Sequence, residues 1–200
     1  MPSQPPAGPE RQDVVPPGQR VTERWLASHY GKVPQIDGER WRLTLCGATA
    51  DGGLTVVDRQ MLEAMEFVEV PAALHCVDRH TVPALRWGGV RLADLVALAP
   101  PEPGAHHVLL AATRGYSSAV LLEDLLAPDS LLATHVDGEP LTREHGWPAR
   151  IVLPHLYGFK GPKWAAEISY HHAPQRGYWE ARGYHPRGRA ALEERWEHQA

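Results

Sequence analysis

The segment Pro71-Ala72-Ala73-Leu74-His75-Cys76-Val77-Asp78-Arg79-His80-Thr81 sets an apolar run directly against a polar one. Short apolar runs bounded by turn residues read as buried strands. The segment therefore predicts a strand whose end carries Cys76 into a loop. A thiolate is both a nucleophile and a soft metal ligand, and Arg79 and His80 nearby predict a lowered thiol pKa. Taken by itself, the position fits a structural cysteine as well, because free cysteine is among the most buried residue types. The only other cysteine, Cys46, falls on an alternating strand without such neighbours and reads as structural.

Working outward, residues 40–47 alternate polar with apolar and end on glycine, the pattern of a half-buried strand. Residues 54–57 predict a shorter strand and 59–65 a short helix. Downstream, residues 90–98 have helical spacing and stop at Pro100-Pro101. Strands are expected at 108–112, 131–135, 150–154 and 163–170, and helices at 121–127 and 190–199. Short strands mixed irregularly with short helices, without repeats, argue for an α+β fold. The Pro- and Gly-rich residues 1–20 predict a flexible lead-in to one domain over 21–200.

Composition narrows the function classes. A chain of 200 residues with 43% hydrophobic and 22% charged residues is globular in kind, and its net charge of −4 gives no electrostatic footprint for nucleic acid or an anionic membrane. No apolar stretch is long enough to span a bilayer, and the N-terminus lacks the apolar core of an ordinary signal peptide. The expected compartment is the cytoplasm. Two cysteines are too few for a disulfide scaffold or a four-thiolate metal site. The twelve histidines form no HExxH, and the pairs His106-His107 and His171-His172 lack the i, i+4 spacing of zinc ligands on a helix. A hydrolase pairing Cys76 with His75 or His80 is conceivable, although sequence neighbours on a strand point to opposite faces.

Two loops stand out for their donors. Tyr157-Gly158-Phe159-Lys160-Gly161-Pro162-Lys163-Trp164 combines glycines, which let a backbone approach a ligand, with lysines, which supply charge for phosphate. It lacks the spacing of a nucleotide-binding P-loop. His145-Gly146-Trp147-Pro148-Ala149-Arg150 adds a turn carrying an arginine suited to bidentate anion contact.

These blocks, with Trp87-Gly88-Gly89-Val90-Arg91-Leu92-Ala93-Asp94-Leu95 and Asp137-Gly138-Glu139-Pro140-Leu141 in order between them, resemble the molybdopterin-binding domain of the sulfite oxidase family. The resemblance runs from about Val21 to the C-terminus and takes in Trp25-Leu26-Ala27-Ser28-His29. It implies a molybdenum–molybdopterin cofactor with Cys76 as metal ligand, and His29, His145, Arg150, Gly161, Pro162 and Lys163 as cofactor contacts. It further implies two-electron oxygen-atom transfer on a small molecule, with an external electron donor or acceptor, in a minimal unit without haem or immunoglobulin-like domains. Gly177-Tyr178-Trp179-Glu180-Ala181-Arg182-Gly183-Tyr184 resembles the segment bearing the family's active-site tyrosine, which makes Tyr184 its match. Tyr184, Arg114 and His80 are the candidates for steering substrate and protons. Sulfite oxidases carry arginines where this chain has Ala27 and Thr81. Because a buried dianion needs paired positive charge, the expected substrate is sulfoxide-like rather than sulfite, unless Arg79 or Arg114 supplies that charge. The alternative within this resemblance is a protein that carries the cofactor without turnover.

Overall fold

The computed structural model describes residues 15–199. Residues 1–14, most of the expected lead-in, lie outside the described residues. The strands, in chain order, are β1 (Arg20–Val21), β2 (Arg42–Gly47), β3 (Thr55–Asp58), β4 (Val68–Pro71), β5 (Leu74–His75), β6 (His80–Val82), β7 (Arg86–Arg91), β8 (His107–Ala112), β9 (Ser117–Leu121), β10 (Leu131–Val136), β11 (Glu139–Pro140), β12 (Arg150–Val152) and β13 (Ala165–His171). Three short helices accompany them: α1 (Arg59–Ala64), α2 (Leu92–Leu98) and α3 (Leu122–Leu126).

Alternation places the core. In β2, Leu43 and Leu45 are fully buried while Arg42 faces solvent and Cys46 is half-buried. The five-stranded sheet β3-β2-β13-β8-β9 presents Leu43, Leu45, Val108, Leu110 and Ile168 to Leu92 and Leu95 of α2 and to Leu125 of α3. A second sheet, β11-β10-β7-β4 with β12 paired to β10, sends Val90, Leu132 and Ile151 into this same core. From its opposite face Trp87, Leu131, Ala133 and Val152 build a second, smaller core with Val70. The sheet is thus buried on both sides, which holds β12 and its first residue, Arg150, rigidly in the interior. A short sheet, β1-β6-β5, carries the cysteine turn.

The α+β expectation holds, with corrections inside it. The helix expected from residue 90 starts at Leu92, because Arg86–Arg91 is a strand. Its glycines are there for contact: a Cβ on Gly89 would lie 2.1 Å from the Leu132 carbonyl oxygen. The strand expected over 71–77 is split, with β4 ending at Pro71 and β5 only two residues long. The terminal helix is absent. Residues Ala190–Leu192 and Glu197–Gln199 form separate 3-10 turns, interrupted at Glu193, whose φ of 54° is left-handed. The Glu194 carboxylate there accepts from the backbone and side chain of Arg189 instead of continuing a helix. Among the described residues no helix is long and apolar enough to cross a membrane.

Candidate active site

The β5–β6 hairpin closes through a tight turn in which the Cys76 amide donates to the His80 carbonyl at 2.7 Å, and the Arg79 amide to the Cys76 carbonyl at 3.1 Å. Gln19, just before β1, donates its side-chain amide to the same Cys76 carbonyl at 3.1 Å. The turn lifts Cys76 into a cavity of about 560 Å³. Arg79 does not line that cavity. The carboxyl beside the thiol is Asp78, which also meets His80 Nδ1 at 3.3 Å. Burial, reinforced by Asp78, pushes the Cys76 thiol up to about 11. This overturns the lowered pKa expected from Arg79 and His80. A raised thiol pKa lends no support to a hydrolase nucleophile, which needs a thiolate at neutral pH. Coordination to a metal deprotonates a thiol outright, so a ligand role is unaffected.

Across the cavity two cations converge from backbones that are hydrogen-bonded to each other. Arg150 opens β12, and Lys163 follows Gly161-Pro162, whose carbonyl accepts from the Ile151 amide at 3.0 Å. A Cβ on Gly161 would lie 2.4 Å from the Ile151 carbonyl oxygen, and one on Gly146 would lie 2.9 Å from Arg150 Cβ and 3.2 Å from Lys163 Cβ. Glycine at both positions allows this approach. Arg150 is 4% exposed and lies between the Trp25 and Trp87 rings, 5.8 and 5.2 Å from their centres. It donates to the His145 carbonyl at 3.1 Å, while its Nε is buried without a partner. Burial lowers its pKa to about 10. Lys163 Nζ donates to the Ser28 and Glu144 carbonyls, each at 2.8 Å, and burial with Arg150 beside it brings the ammonium down to about 7. Among the described residues no carboxylate forms an ion pair with either cation.

The remaining expected residues fall around this centre. Gly161, Pro162, His29, Tyr184, Arg114 and His80 all line the cavity. His29 Nδ1 meets the Ala27 carbonyl at 2.8 Å, and its ring stands edge-on to Trp164. Tyr184 packs among Phe159, Trp179 and Trp196, with ring centres 5.2, 4.9 and 4.7 Å away. Burial, with Cys76 and Asp78 facing it, raises its pKa. Arg114 sits on the exposed turn between β8 and β9. His145 stands one layer back: its ring is stacked on Trp25 at 3.8 Å, its Nδ1 meets Thr142 Oγ1 at 2.9 Å, and burial beside Arg150 and Lys163 lowers its pKa. Sequence reasoning gave no role to Trp25, Arg24 or Tyr116, which also line the cavity. Tyr116 hydrogen-bonds the Phe159 carbonyl. Recognising β9 as the partner of β8 would have marked the Arg114–Tyr116 turn as a hairpin end.

Two cations set side by side with no carboxylate in ion-pairing distance, and only the Glu144 charge acting on Lys163 from further off, are costly unless an anion joins them, and aromatic rings beside them suit a flat heterocycle. Among the described residues no group of three or more His, Cys, Asp or Glu could hold a metal. A metal at Cys76 must therefore bring its other ligands with it, as a dithiolene-bearing pterin does. The residues present fit a phosphorylated, metal-chelating pterin. Fold and cavity together define an α+β domain whose lining fits a redox cofactor of this kind. The pattern of the oxidoreductase molybdopterin binding domain matches residues 30–179, and the chain belongs to that family. It is a molybdopterin-dependent oxidoreductase.

The chain is 39% identical over 181 residues to the uncharacterized oxidoreductase YuiH of Bacillus subtilis, covering 87% of each. It is 24% identical over 207 aligned positions to the mitochondrial sulfite oxidase of Macaca fascicularis, covering 86% of this chain but 38% of that one. Its fold is similar to that of the sulfane dehydrogenase SoxCD from Paracoccus pantotrophus, with a TM-score of 0.71, 21% identity, and coverage of 84% of this chain and 48% of that one.

Proposed function

We propose that the chain catalyses two-electron oxygen-atom transfer on a small, neutral, sulfoxide-like molecule, using a molybdenum–molybdopterin cofactor with Cys76 as the one protein ligand to the metal. The observation that carries this reading is the pair Arg150 and Lys163, held without a carboxylate at the wall of the cavity onto which Cys76 opens. The bound cofactor supplies the electron-pair and oxygen-atom exchange, and an external electron donor or acceptor closes the cycle. Arg150 and Lys163 hold the pterin phosphate through charge-assisted hydrogen bonds. Gly161 and Pro162 keep the backbone close beneath it, and His29 edges the pterin. Tyr184 and His80 face the reacting end, where each has a proton to give or accept, and Arg114 orients substrate at the rim.

At the two positions where sulfite oxidases carry arginines this cavity offers no charge, which leaves Arg114 at the rim as the cation for an anionic substrate. Ala27 contributes only a methyl group to its wall, and Thr81 is wholly buried, its hydroxyl meeting His75 Nδ1 at 3.0 Å and Gln19 Oε1 at 3.3 Å. Neutral oxygen donors are therefore the first substrates to try. Two unpaired cysteines fit a reducing compartment such as the cytoplasm.

The test is metal and pterin analysis of the purified protein, together with turnover per bound molybdenum. Protein made in cells able to assemble the cofactor should carry about one molybdenum per chain. Cys76→Ser should abolish turnover and change the metal's absorption while leaving the pterin bound. Normal turnover by that variant with molybdenum in place, or zinc as the sole metal in active protein, would sink the reading.

A further inference from the structure

The chain from Thr22 to Tyr30 crosses the cavity as a strap. Its start is fixed, since the Thr22 amide donates to the Thr81 carbonyl at 2.9 Å. Beyond that point residues 23–36 exchange no backbone hydrogen bond with any other part of the described chain. What holds the strap is a few side-chain contacts. Trp25 lies on His145 with ring centres 3.8 Å apart and planes 29° from parallel, and meets Trp87 edge-on at 5.3 Å. The Ser28 carbonyl accepts from Lys163 Nζ at 2.8 Å. Tyr30 packs on Tyr178 at 4.3 Å. Leu26 and Tyr30 remain 55% and 47% exposed, so little apolar area seals the segment down. Segments with few backbone bonds and little buried area occupy the low-stability end of a fold and open locally.

The strap touches the two cations of the anion-binding cradle, Arg150 and Lys163, and His145 behind them. Trp25 covers His145 and flanks Arg150, and Ser28 occupies the ammonium of Lys163. Arg150 lines the cavity but is only 4% exposed, with Trp25 on one side and Trp87 on the other, so a movement of Trp25 widens the approach to the guanidinium. We infer that residues 22–30 form a gate over the cradle, latched by Trp25 on His145 and by Lys163 on Ser28, which lifts to admit or release the phosphorylated pterin. The arriving phosphate competes with the Ser28 carbonyl for Lys163. Loading therefore exchanges one latch, while the aromatic stack closes again behind the ligand. Trp25 is a positioning residue in this scheme: it controls passage without taking part in the reaction.

This inference rests on the cofactor reading above, and the test separates the two. Holoprotein is passed through a desalting column and incubated, and the pterin remaining on the protein is followed by the fluorescence of its oxidised form. Trp25→Ala should lose pterin about tenfold faster than the parent, since such contacts act mainly on dissociation rates, with Trp25→Phe in between. The helical and sheet circular dichroism of both should match the parent. The unmodified protein supplies a second measurement that needs no variant: trypsin should cut after Arg24 or Lys32, both exposed, faster in cofactor-free than in loaded protein. Pterin loss from Trp25→Ala at the parental rate, or equal cleavage in empty and loaded protein, would overturn the gate while leaving the cradle intact. Should Arg150→Ala also retain pterin at the parental rate, the cradle itself is misassigned.

Discussion

Lys160 and Lys163 lie three residues apart in one loop, and their surroundings have made them opposites. Lys160 is fully buried and satisfied: its ammonium donates to Glu180 Oε1 at 2.5 Å, to the Ala119 carbonyl at 2.7 Å and to the Pro186 carbonyl at 2.5 Å. Glu180 in turn accepts from the Ala119 amide at 3.0 Å, which ties the segment before Tyr184 to the edge strand β9. Lys163 meets only carbonyls, faces the like charge of Arg150, and its pKa falls to about 7. Burial of a lysine is therefore no sign of function by itself. The informative feature is burial without an ion-paired carboxylate: Glu144 acts on Lys163 only through space, whereas Glu180 bonds Lys160 directly.

The largest expected effect tests the structural member of the pair. Lys160→Ala leaves Glu180 buried and uncompensated, which should cost about 3–5 kcal/mol of stability and lower the melting temperature by roughly 10 °C. Lys163→Ala should not lower the melting temperature of the cofactor-free protein at all. If the two variants melt alike, the distinction between the lysines fails. Next in size, Lys163→Ala and Arg150→Ala should each weaken pterin retention by about 1.5–3 kcal/mol, read as pterin per chain after desalting, whereas Lys160 variants that still fold should keep it.

A pH series sharpens the comparison. The Lys163 ammonium has a folded pKa of about 7 against an ordinary 10.5. Between these values the unfolded chain binds a proton that the folded chain has released, so the stability of the empty protein should rise with pH across that window. Anion binding needs the ammonium, so pterin affinity should fall as pH rises through 7. The same sign for both trends, from melting and retention assays at matched pH, would refute the assignment. The smallest effect belongs to Cys46. It is half-buried on β2, and burial together with Glu167 raises its pKa. Cys46→Ser should cost no more than about 1 kcal/mol and leave turnover per molybdenum unchanged.

Much of this was legible in the sequence where one force dominates. Alternation gave β2 and β8, whose inward residues are buried leucines and valines. α1 was legible too, and the Asp58 side chain caps it by accepting from the Met61 amide at 2.9 Å. β7 was not, because Gly88 and Gly89 answer to a neighbouring backbone and leave no apolar period behind. The cradle residues were legible as donors in glycine-bearing turns, and their convergence became legible through the family resemblance. The sign of the Cys76 shift was not. Sequence shows which charges are near along the chain, but only the fold shows that Asp78 faces the thiol while Arg79 lies outside the cavity. The strap was invisible for a related reason: it is held by the His145 and Tyr178 rings and by the Lys163 ammonium, each more than a hundred residues away along the chain.

The backbone bond between Ile151 and Pro162 has a consequence beyond binding. Because it fixes the spacing of Arg150 and Lys163 before any ligand arrives, the empty chain folds against the repulsion of its own cations. A ligand that binds only the folded state raises stability with its concentration, and here it also relieves that repulsion. Newly made chains in a cell short of the pterin should therefore spend longer unfolded and be more exposed to proteolysis. The steady-state amount of this protein should then track cofactor supply, making its abundance a gauge of the pathway that feeds it.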